Sequence, residues 1–199
     1  MRKRFIVSAS FFLMAAAFVF DLRLLAQFTD GELAERARWE EFLNTAEILK
    51  GEEIGEGITR PKKLLLRKGD TERHAIWKSP ASTDAGTFDK WQAEIAAYRM
   101  DKLLGLNMVP PTAERKHRGR NGSIQLWIEF ETSELERERE SIPIPSDKVD
   151  HCQKMIDLQR AFDSLIANTD RSLQNLRYTK DWRLILIDHS RSFRSSRIY

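Results

Sequence analysis

The spacing of apolar residues changes several times along the 199-residue chain, and each change predicts a different element. Over 27–50, apolar residues lie among many charged ones at roughly helical intervals, which predicts an amphipathic arm of one or two helices. These residues are Leu33, Trp39, Phe42, Leu43 and Ile48. Because a helix of this kind has one apolar face, we expect the arm to pack against the rest of the protein.

The segment 51–132 combines strand-like and helical patterns. Short apolar runs flank a polar turn at 68–70, which predicts a hairpin whose second strand ends at Lys78. Apolar residues then recur at helical spacing at Phe88, Trp91, Ile95 and Tyr98. This pattern predicts a helix that Thr87 caps and Gly105 ends.

Two further strands are predicted between 108 and 130, joined by a turn at Arg120, Asn121 and Gly122, because Asn-Gly is a strong hairpin signal. The basic cluster 115–120 is then at the hairpin tip, where it is either a solvated turn or a contact for an anionic substrate or a membrane.

The remainder begins with a charged and proline-containing stretch, 133–150, which predicts a connector. Helical spacing resumes after it, through Met155, Leu158, Phe162 and either Leu165 or Ile166. A polar loop and the short apolar run 184–187 follow, and the run predicts a buried strand. This order of strands, helix, strands, connector, helix, loop and strand predicts an α+β fold.

Composition permits one packed domain, since 41% of the residues are hydrophobic and 10% are aromatic. The net charge is +3, but four of the 33 basic residues and one of the 30 acidic residues lie in 1–26, so the remainder carries 29 of each. A body that is formally neutral gives no support for a nucleic-acid partner.

The first 26 residues predict a signal peptide or a membrane anchor, because Arg2, Lys3 and Arg4 precede a 16-residue apolar run over 5–20. The run is short for a spanning helix, which needs about 20 residues. Cleavage after residue 26, retention as an anchor and a buried hydrophobic helix all remain open. Export or anchoring would place 27–199 in a periplasm, cell envelope or secretory lumen, with membrane contact through 5–20.

Cysteine and histidine give little indication of chemistry. Cys152 is the single cysteine, so no disulfide can form within the chain, and its position favours a small buried thiol over a reactive one. The four histidines show no metal-ligand spacing, which argues against a zinc site.

Several polar residues fall where phosphoryl transfer from ATP would need them. Gly55 and Gly57 make the first predicted hairpin a glycine-containing one, which could approach phosphates through its backbone. Lys78 could contact phosphate oxygens, and Glu94, which borders the apolar face of its predicted helix, could hold Lys78 in an ion pair. The simpler alternatives are that the two glycines only form a turn, that Lys78 is a solvated lysine at the end of a strand, and that Glu94 is an acid on the helix surface.

Three more residues surround the apolar strand near the end of the chain. Asp170 could act as the base or orient the substrate, while Asn175 and Asp188 offer the hard oxygen ligands that Mg²⁺ or Mn²⁺ prefers. Asp170 and Asn175 could instead stabilise turns. Asp188 follows the run RLILI, and an acid at the end of so apolar a strand requires a partner.

The run TDRSLQN at 169–175, together with LILIDHS at 184–190, resembles the catalytic loop and metal-binding strand end of protein-kinase-like folds. The resemblance is to the atypical branch: DRSLQNLRY is similar to type II phosphatidylinositol 4-kinases and HipA-like kinases, and DHSRSF to the Golgi casein kinase and Four-jointed family. Ser172 replaces an Asn of the first pattern, and His189 and Ser190 replace the glycine expected after the second Asp.

The resemblance covers about 50–193 and implies a two-lobed protein-kinase-like fold. Only 11 residues follow Asp188, so the implied C-lobe is shortened or truncated. We expect five segments: an anchor or signal (1–26), a helical arm (27–50), an N-lobe-like sheet with a helix (51–132), a connector (133–150) and a partial C-lobe (151–199).

The implied activity is transfer of the ATP γ-phosphate to a hydroxyl of a protein, lipid headgroup or sugar, with Mg²⁺ or Mn²⁺. Two alternatives remain at this point. One is a catalytically inactive kinase-like scaffold, a pseudokinase, and the other is a membrane-associated structural protein that binds no nucleotide.

Overall fold

The computed structural model describes residues 29–54, 61–79 and 89–193. The helices are α1 (Asp30–Ala34), α2 (Arg36–Thr45), α3 (Trp91–Leu104), α4 (Glu134–Arg139) and α5 (Val149–Leu165), with a 3-10 turn at Leu173–Asn175. The strands are β1 (Glu47–Glu53), β2 (Lys62–Lys68), β3 (Thr71–Lys78), β4 (Thr112–His117), β5 (Arg120–Leu126), β6 (Thr132–Ser133), β7 (Leu176–Tyr178) and β8 (Leu184–Leu186). The predicted α+β class is confirmed.

Strands β1 to β5 form an antiparallel sheet in the order β1-β2-β3-β5-β4. β2 and β3 form the hairpin predicted around residues 68–70, and β3 ends at Lys78 as expected. Since side chains alternate along a strand, Lys78 shares one face of β3 with His74, while Trp77 and Ala75 point to the other, buried face.

The predicted central helix is α3, but it begins later than expected. Lys90 is its N-cap and makes no side-chain capping bond, so the prediction of Thr87 as the cap was wrong; Thr87 itself lies outside the described residues. Gly105 ends the helix as predicted, in the left-handed conformation with φ of 66°, which glycine adopts without steric cost. Ile95 and Tyr98 are buried on its apolar face.

The turn between β4 and β5 lies two residues before the predicted position. Arg118 and Gly119 have φ of 47° and 82° and form the tip, whereas Asn121 and Gly122 belong to β5. Gly122 is needed for packing: a Cβ there would lie 2.4 Å from the backbone oxygen of Lys78. The Asn-Gly pair therefore marks a close approach of two strands and not a turn.

The helical arm consists of α1 and α2 and is shorter than predicted, because Ile48 lies on strand β1. Thr29 caps α1 in a reciprocal capping box with Glu32. Phe42 and Leu43 of α2 pack into the first apolar core, which comprises Phe42, Leu43, Ala46, Leu64, Leu66, Ala75, Trp77, Ala113, Ile124 and Leu126. The arm therefore belongs to the packed domain, as its amphipathic pattern predicted.

A second core lies between α3, α5 and a small sheet of order β6-β7-β8. It comprises Ala97, Tyr98, Leu106, Met108, Val109, Cys152, Met155, Phe162, Ile166, Leu176, Tyr178, Leu184 and Leu186. Cys152 is a buried free thiol inside α5. Ile166 is buried and Leu165 exposed, which resolves the alternative left open by the spacing.

The predicted connector 133–150 contains helix α4, which the sequence reading missed. A capping box between Ser133 and Glu136 starts this helix, and Arg137 pairs with Glu134 at 2.6 Å. All of its residues are at least partly exposed, so no apolar periodicity announces it.

Residues 1–28 lie outside the described part of the chain, and with them the predicted signal or anchor. Among the helices of 29–54, 61–79 and 89–193, none combines the length and hydropathy required to cross a bilayer.

Candidate functional site

Lys78 stands between two carboxylates from distant parts of the chain. Its Nζ lies 2.7 Å from Oε1 of Glu94 on α3 and 2.8 Å from Oδ1 of Asp188, just beyond β8. The side chains of Lys78 and Glu94 are 13% and 3% exposed, whereas that of Asp188 is 41% exposed. The structure thus brings together three residues that sequence analysis selected separately, and Asp188 faces the open side.

Glu94 is charged although it is buried. Burial is the largest single influence and raises the pKa of this carboxyl, but the charge of Lys78 and the hydrogen bonds from His189 and Lys78 together outweigh it and hold the pKa well below its ordinary value. Burial lowers the pKa of Lys78, but the carboxylates of Glu94 and Asp188 together raise it by more, so that it lies above its ordinary range. The pair is therefore a fixed positive and negative charge at any physiological pH.

The second oxygen of Glu94 is held by the segment that follows β8. The backbone N–H of His189 donates to Oε2 of Glu94 at 2.9 Å. The His189 ring is fully buried against Phe162, and its Nδ1 lies 3.6 Å from the same oxygen, too far for a hydrogen bond. Burial lowers the pKa of His189, so its ring is neutral and acts as packing beneath α3.

Asp188 has a left-handed backbone, with φ of 61°. Non-glycine residues seldom adopt this conformation, and Asp and Asn do so more readily than others. Oδ1 of Asp188 lies 3.3 Å from the Ser190 hydroxyl as well as near Lys78. The sharp turn of the backbone presents the carboxylate at the end of the buried strand.

Asn175, the other predicted metal ligand, is joined through its backbone to the segment that carries Asp188. It is buried in the 3-10 turn, and its backbone oxygen accepts a hydrogen bond from Ile187, the residue before Asp188. One carboxylate and one amide suit Mg²⁺, which in nucleotide sites takes few protein oxygens and completes its shell with phosphate and water. The described residues contain no cluster of three or more His, Cys, Asp or Glu that would form a complete cage.

Asp170, the predicted base, is 55% exposed and paired with a residue that sequence analysis did not select. Nη1 of Arg191 donates to Oδ2 of Asp170 at 2.9 Å, while Nε of Arg191 donates to buried Asp89 at 3.1 Å. The Ser190 hydroxyl also donates to Asp89, at 2.7 Å. A buried aspartate just before α3 thus fixes the guanidinium that contacts Asp170.

Asp89 and Arg191 were missed because each looks ordinary in sequence. Asp89 precedes a helix, where an acid is common. Arg191 lies in the run DHSRSF, from which only Asp188 was predicted to be a site residue. For Arg191 a signal was present in the sequence, because it lies three residues after Asp188 in the loop that follows the predicted strand, and such loops often carry functional residues.

A second ion pair supports the loop that carries Asp170. Arg171 donates from Nε and Nη2 to the two oxygens of buried Asp163, each at 2.9 Å, and also bonds the backbone oxygen of Ile187. Asn168 donates to Asp163 at 2.8 Å. This network ties helix α5 and the loop 167–172 to the strand that leads to Asp188.

A cavity of about 680 Å³ lies between the arm and the sheet. Leu65, His74 and Trp127 line it from the strands and the segment after β5, and Trp39 lines it from α2. His74 shares the face of β3 that carries Lys78. The predicted phosphate-contacting glycines, Gly55 and Gly57, lie outside the described residues.

The sequence was compared with protein-family models and with curated proteins, and neither comparison gave a match.

Proposed function

We propose that the chain is an ATP-dependent phosphotransferase with a two-lobed protein-kinase-like fold and a short C-lobe. It would transfer the γ-phosphate to a hydroxyl of a protein, lipid headgroup or sugar. The observation that carries the proposal is the contact of Lys78 with both Glu94 and Asp188, at 2.7 and 2.8 Å.

The burial of Lys78 and Glu94 supports a functional role over a structural one. Bringing a lysine and a glutamate out of water costs several kcal/mol per ion, and an apolar pair of similar size would generally fill the space with less cost. A fixed ammonium beside a partly exposed carboxylate is, however, what a nucleotide's phosphates and their metal ion require.

Each residue has a defined part in the proposed reaction. Lys78 would contact phosphate oxygens and Glu94 would hold it in place. Asp188 and Asn175 would hold Mg²⁺ or Mn²⁺, which supplies charge neutralisation for the phosphates when bound. Asp170 would orient the acceptor hydroxyl and accept its proton.

The cavity lined by Leu65, His74 and Trp127 is where we propose that the base of the nucleotide binds. His74 and Lys78 are four residues apart on one face of β3, which corresponds to about 13 Å along a strand. That span is comparable with the length of an extended nucleotide. Leu65, opposite His74 in β2, and Trp127 provide apolar and aromatic surface for a base.

The location we propose is an exported or membrane-anchored one, and its support is the apolar run over 5–20.

A second function is favoured by one contact. Because Arg191 donates to Oδ2 of Asp170 at 2.9 Å, only Oδ1 is left for an acceptor hydroxyl in this arrangement. A kinase-like module that binds a nucleotide without turnover, a pseudokinase scaffold, would keep Lys78, Glu94 and Asp188 and would tolerate an aspartate held in an ion pair.

The test is the thermal midpoint of the full chain with ATP, with and without Mg²⁺ or Mn²⁺. A ligand that binds only the folded state raises the midpoint. Asp188→Asn keeps a residue that tolerates the left-handed backbone while removing the charge. Asp157→Asn, on the exposed face of α5, is the matched control.

We expect a metal-dependent rise in the wild type and in Asp157→Asn, and none in Asp188→Asn. The absence of a rise in folded wild-type protein would refute both functions. Consumption of ATP by the wild type that Asp170→Asn abolishes would then distinguish the phosphotransferase from the binding module.

A further inference from the structure

The tip of the β4–β5 hairpin carries a group of exposed cations, Lys116, Arg118 and Arg120, here called the basic tip. Arg115 belongs to the same basic run in the sequence but turns inward, where it donates to the backbone oxygens of Leu43 and Ala46 at the end of α2. The structure thus divides the run into one structural arginine and three exposed cations.

The basic tip differs from the rest of the described surface in grouping three cations that have no acidic partner within the described ranges. Exposed cations such as Arg38, Lys50 and Arg160 lie within 4.0 Å of a carboxylate. Exposed cations that have no such neighbour, such as Arg99, Lys154 and Lys180, occur singly along the chain, whereas Lys116, Arg118 and Arg120 lie together at one turn. Their charge is therefore directed at solvent or at a partner.

The electrostatic surroundings of His117, between these cations, agree with this description. Burial lowers the pKa of His117, and the charges of Arg118, Lys62 and Arg115 lower it further. Within the described ranges, no carboxylate is among the groups that shift the pKa of His117. The end of the hairpin is therefore a local positive region on a body whose formal charges sum to zero.

We propose that the basic tip docks the protein on an anionic phospholipid surface. A narrow hairpin end with three exposed cations suits a flat anionic surface, and it offers neither a long basic stripe nor stacking aromatics for a nucleic acid. The apolar run over 5–20 independently predicts proximity to a membrane. A short basic patch is effective as the second of two membrane signals.

Docking in this way would place the candidate site near the bilayer. The Arg120 guanidinium donates to the backbone oxygen of Ser79 at 3.0 Å, and Ser79 directly follows Lys78. The tip and the end of β3 are therefore joined, so an anchored tip holds the Lys78 end of the sheet close to the lipid surface.

The test is binding of the full chain to vesicles of phosphatidylcholine alone and to vesicles in which roughly a third of the lipid is phosphatidylglycerol. The tip variant combines Lys116→Gln, Arg118→Asn and Arg120→Gln, with Asn chosen because it tolerates a positive φ. The control variant combines Lys50→Gln, Arg139→Gln and Arg160→Gln, three exposed cations with acidic neighbours, and changes the net charge equally.

Each cation near an anionic leaflet contributes roughly a factor of five, so the tip variant should bind anionic vesicles about 100-fold more weakly than the wild type. The control variant should lose less than about threefold, and all three proteins should bind neutral vesicles alike. Arg118→Asn alone should lose about fivefold, which keeps the test valid if the triple variant is unstable.

Three results would overturn the proposal. The wild type binding both vesicle types equally would show that acidic lipid is not recognised. Equal losses in the tip and control variants would show that only net charge matters. A loss of binding to a single-stranded oligonucleotide as large as the loss on vesicles would identify the tip as a nucleic-acid surface.

Discussion

Lys78 and Asp188 are 110 positions apart in the chain, yet Nζ of Lys78 lies 2.8 Å from Oδ1 of Asp188. Lys78 ends a strand of the five-stranded sheet, and Asp188 follows the last strand of the small sheet. The contact therefore joins the parts of the protein that contain the two apolar cores. It also lies beside the N-terminal part of helix α3, from which Glu94 reaches Lys78.

Lys78→Met should destabilise the protein as well as abolish nucleotide binding. Loss of the ammonium leaves Glu94 buried without its cation, which should lower the free energy of unfolding by about 3 kcal/mol. Urea denaturation measures this change. Lys154→Met, at an exposed position of α5, is the control and should leave the midpoint unchanged. An equal response of the two variants would contradict the buried ion pair.

Stability should depend on pH through Glu94. Its pKa in the folded protein lies well below the ordinary 4.5, so the stabilisation is fully present above pH 4.5 and is lost as the pH falls further and the unfolded chain takes up the proton. Between pH 6 and 3, wild-type stability should therefore fall more steeply than that of Glu94→Gln. Parallel curves for the two proteins, from denaturation at each pH, would argue against a depressed pKa.

The sequence was sufficient to predict elements with a strong local signal. The helical spacing around Ile95 and the αL-competent Gly105 located α3, and the polar turn at 68–70 located the β2–β3 hairpin. The burial of Glu94 also followed from its position beside the apolar face. Each of these depends on residues within a few positions of one another.

Features determined by distant contacts could not be predicted in the same way. Gly122 was assigned to a turn, because the sequence does not show that Lys78 packs against it. The buried pair of Arg36 with Asp101, 3.2 Å apart, fixes α2 against α3 across 65 positions and has no local pattern. Asp89 and Arg191 belong to the same category. Helix α4 is different, because the capping box from Ser133 to Glu136 is a local pattern that predicts the start of a helix.

Gly122→Ala should destabilise the sheet at the candidate site. The new methyl group would lie 2.4 Å from the Lys78 oxygen and 2.8 Å from the Trp77 ring, so the strands must separate at a cost of about 2–3 kcal/mol. Gly31→Ala is the matched control, since its nearest neighbour is 3.9 Å away, and it should be neutral or slightly stabilising. Thermal denaturation of both variants would show the difference, and similar midpoints would contradict the close approach.

Arg171→Met should release the loop that carries Asp170. Asp163 would lose its two charged hydrogen bonds while remaining buried, which should lower the free energy of unfolding by about 3 kcal/mol. Arg160→Met, at an exposed pair on the same helix as Asp163, should have little effect. Hydrogen exchange of the amides in 167–175 should accelerate in the first variant only, and unchanged exchange would show that the loop does not depend on Arg171.

Strand β1 lies at one edge of the five-stranded sheet, and its exposed residues include Glu47, Lys50, Glu52 and Glu53. An edge strand presents unpaired backbone groups that can recruit a strand of another molecule. If two copies of this chain paired through β1, the carboxylates of Glu52 and Glu53 would lie close to charged side chains of the other copy. Pairing would also remove water from these carboxylates, which is unfavourable. The charged edge therefore opposes edge-to-edge pairing of two copies of this chain and the aggregation that such pairing begins.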